Sequence, residues 1–142
     1  PGDSADIHGL EFELKKHFDR RNRVWSYFTA LQSRDNLGRD LQYDASRKAG
    51  AGYWHEFSSR VCLNLESHWV GKTIDTSLRD VPGVGTKPVK GYFVNGVGIQ
   101  AKLSPVEYLK LSIWNLGRGI YEEMIDVPVP GTLTRFEFLR TF

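Results

Sequence analysis

Tyr92-Phe93-Val94-Asn95-Gly96-Val97-Gly98-Ile99 decides the class of this chain. Aromatic and β-branched residues, the types that suit a pleated surface, lie on both sides of Asn95-Gly96. A two-residue type I′ turn needs φ > 0 at both centres, and Asn-Gly meets that need at the least steric cost. The stretch therefore predicts a hairpin turning at Asn95-Gly96, with antiparallel β structure around it. Its second arm alternates Val97, Ile99, Ala101 and Leu103 against Gly98, Gln100, Lys102 and Ser104.

The same period of two recurs outward from there. Val61, Leu63, Leu65 and Trp69 alternate with Cys62, Asn64, Glu66 and His68. Leu109, Leu111 and Ile113 are expected inward, with Tyr108, Lys110, Ser112 and Trp114 outward. Val24 to Gln32 and Tyr53 to Phe57 read as strands, as do Thr73 to Leu78, Ile125 to Val129 and Leu133 to Leu139. Leu41 to Tyr43 is a short run. Ser46 to Gly52 is small and flexible, hence a loop; Asp35 to Gly38, Asp80 to Pro88 and Asn115 to Gly119 carry turn chemistry. Residues 4–20 are open to two readings. A helix capped at Ser4 would gather Ile7, Leu10, Leu14 and Phe18, but Gly9 opposes it. A strand alternating Leu10, Phe12 and Leu14 against Glu11 and Glu13 is preferred. The expected fold is all-β, an antiparallel sandwich or small barrel, with one N-terminal helix as the alternative for residues 4–20. Val61, Leu63, Leu65, Val97, Ile99, Leu109, Leu111 and Ile113 are the expected core.

A length of 142 residues suits a single domain over 1–142, and 13% aromatic content suits a soluble, packed chain. Nineteen Lys and Arg against seventeen Asp and Glu, evenly spread, give little steering of a polyanion. Cys62 is the only cysteine, so no intrachain disulfide can form and a reducing compartment is the simpler reading. No apolar run approaches the length of a transmembrane helix, and no membrane span is expected. The opening Pro1-Gly2-Asp3, without methionine, is expected of a processed form or an excised domain.

The candidate sites each compete with a plainer reading. Lys15, Lys16, Arg20, Arg21 and Arg23 stand beside Trp25 and Tyr27, and could hold phosphates while the rings stack a base. The plainer reading is a solvated turn beside core aromatics. Gly71-Lys72-Thr73 lacks the earlier glycine of a P-loop, because Glu66 takes its place, and Pro88 stops any helix after Gly83 to Lys87. His55 faces roughly residue 63 in a hairpin through Ser58-Ser59, which leaves His68 too far along to share a metal. Glu122, Glu123 and Asp126 read as solvated loop charge. Cys62 has no nucleophile signature and no Gly-x-Ser-x-Gly elbow occurs. Trp25, Tyr27, Tyr108 and Trp114 could form an aromatic platform for a sugar, a base or a partner protein; in a sheet covered on both faces they would be core.

No stretch resembles a known family closely enough to carry anything over. The function expected is a non-catalytic recognition module that binds a protein or small-molecule ligand through a sheet face and Gly-rich loops. No catalytic residue, metal or cofactor is expected. The alternatives are a barrel that binds or converts a small apolar ligand, a nucleic-acid binder using residues 15–27, and a structural subunit of a larger assembly such as a virus or phage particle, where an oligomer would follow.

Overall fold

The computed structural model describes residues 5–36, 38, 45–75, 87–117, 122–124, 127–128 and 131–141. The expected run Leu41 to Tyr43, the loop at 80–86 and the side chains of Glu122, Glu123 and Asp126 lie outside the described residues. The strands are β1 (Ala5–His17), β2 (Asn22–Asp35), β3 (Arg47–Ser58), β4 (Val61–Val70), β5 (Thr73–Asp75), β6 (Lys87–Val89), β7 (Tyr92–Ser104), β8 (Glu107–Trp114), β9 (Glu122–Met124), β10 (Val127–Pro128) and β11 (Leu133–Arg140). The fold is all-β and antiparallel. Seven strands form one sheet in the order β1-β2-β3-β4-β7-β8-β11, and β5-β6 and β9-β10 form two short ribbons. No helix occurs among the described residues, so residues 5–17 resolve in favour of the strand.

The connections differ at the two ends of the sheet. Tight turns join β1 to β2, β3 to β4, and β7 to β8, all at one end. The longer connections leave from the other end, after Asp35, Val70 and Trp114, and the two ribbons follow the second and third of these exits in the chain. Asp19 organises the first tight turn. Its carboxylate accepts the backbone N–H of Arg21 at 2.6 Å, the N–H of Asn22 at 2.8 Å and the side-chain amide of Asn22 at 2.7 Å. The Asn22 amide oxygen in turn accepts the Tyr53 hydroxyl at 2.5 Å and lies 2.7 Å from His55 Nδ1, which ties the turn to β3.

Sequence expectations are corrected in two respects, the local turn and loop assignments and the core. Asn95-Gly96 is not a turn. It lies inside β7, where Asn95 pairs with Ser67, and Gly96 pairs with Glu66 on one side and Trp114 on the other. Strand partners on both flanks override the local turn preference, and among the described glycines only Gly38 has a left-handed φ, of 73°. Gly96 serves instead as a flat place on which the Trp114 ring lies, 2.8–3.2 Å from where a Cβ would stand. Ser46 to Gly52 is likewise strand, not loop, from Arg47 onward.

The second correction concerns the core. Directly paired residues of antiparallel strands point to the same face, so the register sorts the sheet into two faces. One row of the apolar face runs Phe12, Phe28, Ala49, Trp69, Phe93. Another runs Val24, Tyr53, Leu65, Val97, Ile113. A third runs Leu63, Ile99, Leu111, Phe136. All eight expected core residues share this face, so their phases were legible. The face is nevertheless open: Leu65 is 40% exposed, Leu111 41% and Ile99 47%, and no large side chain is fully buried among the described residues. The reason is that no described element packs over the sheet.

The Asp19 carboxyl is held below its usual value of 3.8, first by the Asn22 side-chain hydrogen bond and next by the Arg21 backbone bond. A depressed folded pKa means that the carboxylate supports the turn above the usual value and ceases to do so as pH falls through the lower folded one. The amide chemical shifts of Arg21 and Asn22 are predicted to move toward unbonded values on acid titration below 3.8, and in Asp19→Ala at neutral pH. Shifts that stay put in both experiments contradict this account of the turn.

Candidate functional site

The face opposite the apolar rows carries the polar and aromatic groups. One of its rows runs Trp25, Gly52, Glu66, Gly96, Trp114. Beside it lie Tyr27, Gly50, His68 and Val94 in one row, and Arg23, Trp54, Asn64, Gly98 and Ser112 in the other. The glycines alternate with the rings because a bulky ring needs a neighbour without a side chain. A Cβ on Gly50 would stand 2.4 Å from the Tyr27 ring, and one on Gly52 2.3 Å from the Trp25 indole. Each of these rings therefore lies flat along the sheet over the backbone of the next strand.

This layout gathers a cluster. Trp25 and Tyr27 stack with centroids 6.0 Å apart and 6° between planes. His68 sits among them, 5.5 Å from Trp25, 6.0 Å from Tyr27 and 6.2 Å from Trp114. Its two ring nitrogens face different partners: Nδ1 is 3.2 Å from the Tyr27 hydroxyl, and Nε2 is 3.3 Å from Glu66 Oε2. The Asn64 amide donates to the other Glu66 oxygen. Tyr27, His68, Glu66 and Asn64 thus form one hydrogen-bonded chain across β2 and β4, which fixes the rings and satisfies a half-buried carboxylate.

Below the cluster the face is hollow. A depression of about 250 Å³ lies over Gly98, between Trp54 and Trp114. A second, of about 230 Å³, adjoins it toward the tight-turn end and shares Trp54, Cys62 and Gln100 with the first. Arg23 covers one side of Trp54, with its guanidinium 4.2 Å from the ring centroid.

Of the expected platform residues, Trp25, Tyr27 and Trp114 come together around His68. Tyr108 shares their face but stands apart, beside the second hollow and under Lys102, whose ammonium is 5.7 Å from its ring. The basic residues are dispersed. Lys15 pairs with Glu13 at 2.7 Å on the polar face, Lys16 lies over Phe18 on the apolar face, and Arg20 and Arg21 occupy the tight turn. Lys15, opposite Trp25 in the register, and Arg23, against Trp54, lie on the aromatic side. His55 and His68 point to opposite faces and cannot share a ligand. Among the described residues no three His, Cys, Asp or Glu groups converge on a metal position.

His68, Glu66 and Asn64 were not singled out as a unit by the sequence. The available signal is the spacing Gly50-x-Gly52 and Gly96-x-Gly98, which marks close approach within a strand, whereas local chemistry points to a loop at Ser46 to Gly52 and a turn at Asn95-Gly96.

No protein-family model and no curated protein matches the chain. Solved structures do match its fold. The copper transporter OprC superposes with a TM-score of 0.79 at 14% identity over 97% of this chain and 24% of its own. The siderophore receptor PirA from Acinetobacter baumannii gives 0.78 at 16% identity over 96% and 22%. The ferripyoverdine receptor of the outer membrane of Pseudomonas aeruginosa gives 0.76 at 12% identity over 96% and 19%. The chain thus spans about a fifth to a quarter of the length of these structures.

The packing of Trp114 on Gly96 is open to test. Gly96→Val forces its methyls into the indole and is predicted to destabilise the sheet by about 1–3 kcal/mol, the usual cost of overpacking. Trp114→Ala in the same chain should recover part of that loss. A double-mutant cycle in chemical denaturation that shows simple additivity rules the contact out as the cause.

Proposed function

We propose that this chain is part of the wall of a transmembrane β-barrel of the outer-membrane receptor kind. Its apolar face lies against lipid, and its polar, aromatic face lines the interior where a ligand is met. The observation that carries the reading is the uncovered apolar face: Phe12 is 57% exposed, Phe93 61%, Phe136 67% and Phe138 53%. Water does not leave so large an apolar surface bare, whereas hydrocarbon accepts it.

Three further features agree. Strands that alternate apolar outward and polar inward, joined by short turns at one end and long connections at the other, describe membrane barrels. From Val61 to Trp69 of β4 the apolar rows extend about 27 Å at the usual rise of a strand, or about 20 Å once tilted as barrel strands are, near the height of the lipid-facing band. Rings also cluster where the band ends, with Trp69 and Phe93 6.4 Å apart at the long-loop end, and His55 and Phe57 4.6 Å apart at the tight-turn end. The solved structures that share the fold include receptors for ferripyoverdine and other siderophores and a copper transporter.

Seven strands with β1 and β11 as edges do not close a barrel, and an open edge is not tolerated in lipid. Further strands therefore complete the wall. No described helix is long and apolar enough to cross a membrane, which says nothing of strands. The proposal takes the place of the expectation, drawn from the missing long apolar run, that nothing here spans a membrane. It keeps the expectation of recognition through a sheet face and assigns that role to the polar side. An interior of Glu, His, Asn, Lys and Trp side chains favours a polar ligand over the small apolar one.

Charge placement tests the orientation. In the protein refolded into phospholipid vesicles, Leu65→Arg is predicted to cost about 2–4 kcal/mol, the price of a cation near the middle of the lipid-facing band. Gln100→Arg, on the other face, should cost well under half as much. Equal, small effects at both positions in denaturant titrations would mean that Leu65 faces water, and the barrel reading would fail.

A further inference from the structure

The polar face contains four glycines in strand interiors at its centre, and three of them are roofed. Tyr27 lies over Gly50, Trp25 over Gly52 and Trp114 over Gly96, each ring close enough to exclude even a methyl group. Gly98 is the exception. A Cβ there would meet nothing nearer than the Leu111 carbonyl oxygen at 3.8 Å, with the Asn64 and Ser112 Cβ atoms at 3.9 Å. The space above it is the hollow of about 250 Å³. We propose that this space is a saccharide-binding site, in which a pyranose ring takes the place over Gly98 that an aromatic side chain takes over the other three.

The lining decides the class of ring. Trp54 and Trp114 flank the hollow and give it apolar walls for the C–H groups of a sugar. Asn64, Gln100 and Ser112 supply amide and hydroxyl groups that both donate and accept. The charged groups in the lining already have partners within the sheet. Glu66 is engaged by Asn64 and His68, and Lys110 Nζ lies 3.6 Å from Glu137. A neutral, hydroxyl-rimmed ring meets such a lining without stranding a charge. The adjoining hollow of about 230 Å³ shares Trp54 and Gln100, reaches Tyr108 and is also lined by Glu56, Arg60 and Lys102, which offer charged hydrogen-bonding groups to the hydroxyls of a second ring. The ligand class is thus a disaccharide or longer glycan with a neutral ring over Gly98. Arg23, stacked on Trp54, holds that ring from behind.

The inference rests on the polar face being the barrel interior, which the charge substitutions at Leu65 and Gln100 test separately. Its own test is a titration of intrinsic tryptophan fluorescence in the refolded protein with maltose, cellobiose and chitobiose, and with p-cresol as a ring that lacks the hydroxyl rim. Saturable quenching or a spectral shift by at least one disaccharide is expected. Gly98→Leu, whose side chain fills the hollow, should weaken that response by about tenfold or more, the scale of losing a well-fitted subsite. Gly98→Ala should retain the fold by far-UV circular dichroism and weaken binding less. Three results overturn the proposal: no saturable response to any of the sugars, a response that survives Gly98→Leu in a folded protein, or saturation by p-cresol alone, which would assign the hollow to an aromatic side chain of a protein partner.

Discussion

A sheet one layer thick has no interior in which to place an apolar side chain. Every residue points to one face or the other, and whatever meets that face decides whether the residue is stable there. In this chain the antiparallel register collects Leu65, Leu111, Phe12 and Phe136 on one side, and Glu66, His68, Lys110 and Trp114 on the other. On the apolar side Phe12, Phe28, Phe93 and Phe136 stay 38–67% exposed. Hydrophobic burial, which normally dominates folding, is thus incomplete within the described residues, and the remainder has to come from an apolar medium or a covering partner. The orientation, the polar lining and the candidate ligand site all follow from which medium that is.

The polar face holds itself together by a different device. Bulky rings on β2 and β8 lie flat over glycines of the neighbouring strands, which trades side-chain volume between partners and leaves the strand spacing undisturbed. The hydrogen-bonded run from Tyr27 through His68 and Glu66 to Asn64 then fixes the rings in place. The same rule explains the hollow, since Gly98 follows the pattern of a roofed glycine without having a roof.

Strand phases were legible because alternation is a local property. Val61, Leu63 and Leu65, and Leu109, Leu111 and Ile113, were placed together correctly, as were Trp25 with Tyr27 and Trp114 on the opposite face. What surrounds each face was not legible, because a period of two states only that two sides differ, not which side is wet. The apolar stripe therefore predicts a closed core as readily as a face against lipid. Asn95-Gly96 misled for a related reason: glycine's freedom at positive φ and its lack of a side chain are separate properties, and the position uses the second. Recognition of Gly96 as a seat for Trp114 needs the partner strand, which lies a full hairpin away in the chain. The His68 network was hidden in the same way, since its members come from β2 and β4 and meet only through register.

The four tryptophans divide three to one between the faces, with Trp25, Trp54 and Trp114 on the polar side and Trp69 alone on the apolar side. The most direct measurement of the central claim uses four proteins that each keep one tryptophan, the others replaced by phenylalanine, refolded into vesicles that contain lipids brominated along their acyl chains. Contact with the bromines quenches fluorescence, so the Trp69 protein should be strongly quenched and the other three only weakly. Equal quenching of all four, or a Trp69 that ignores the brominated lipid, would contradict a wall with one face in the membrane.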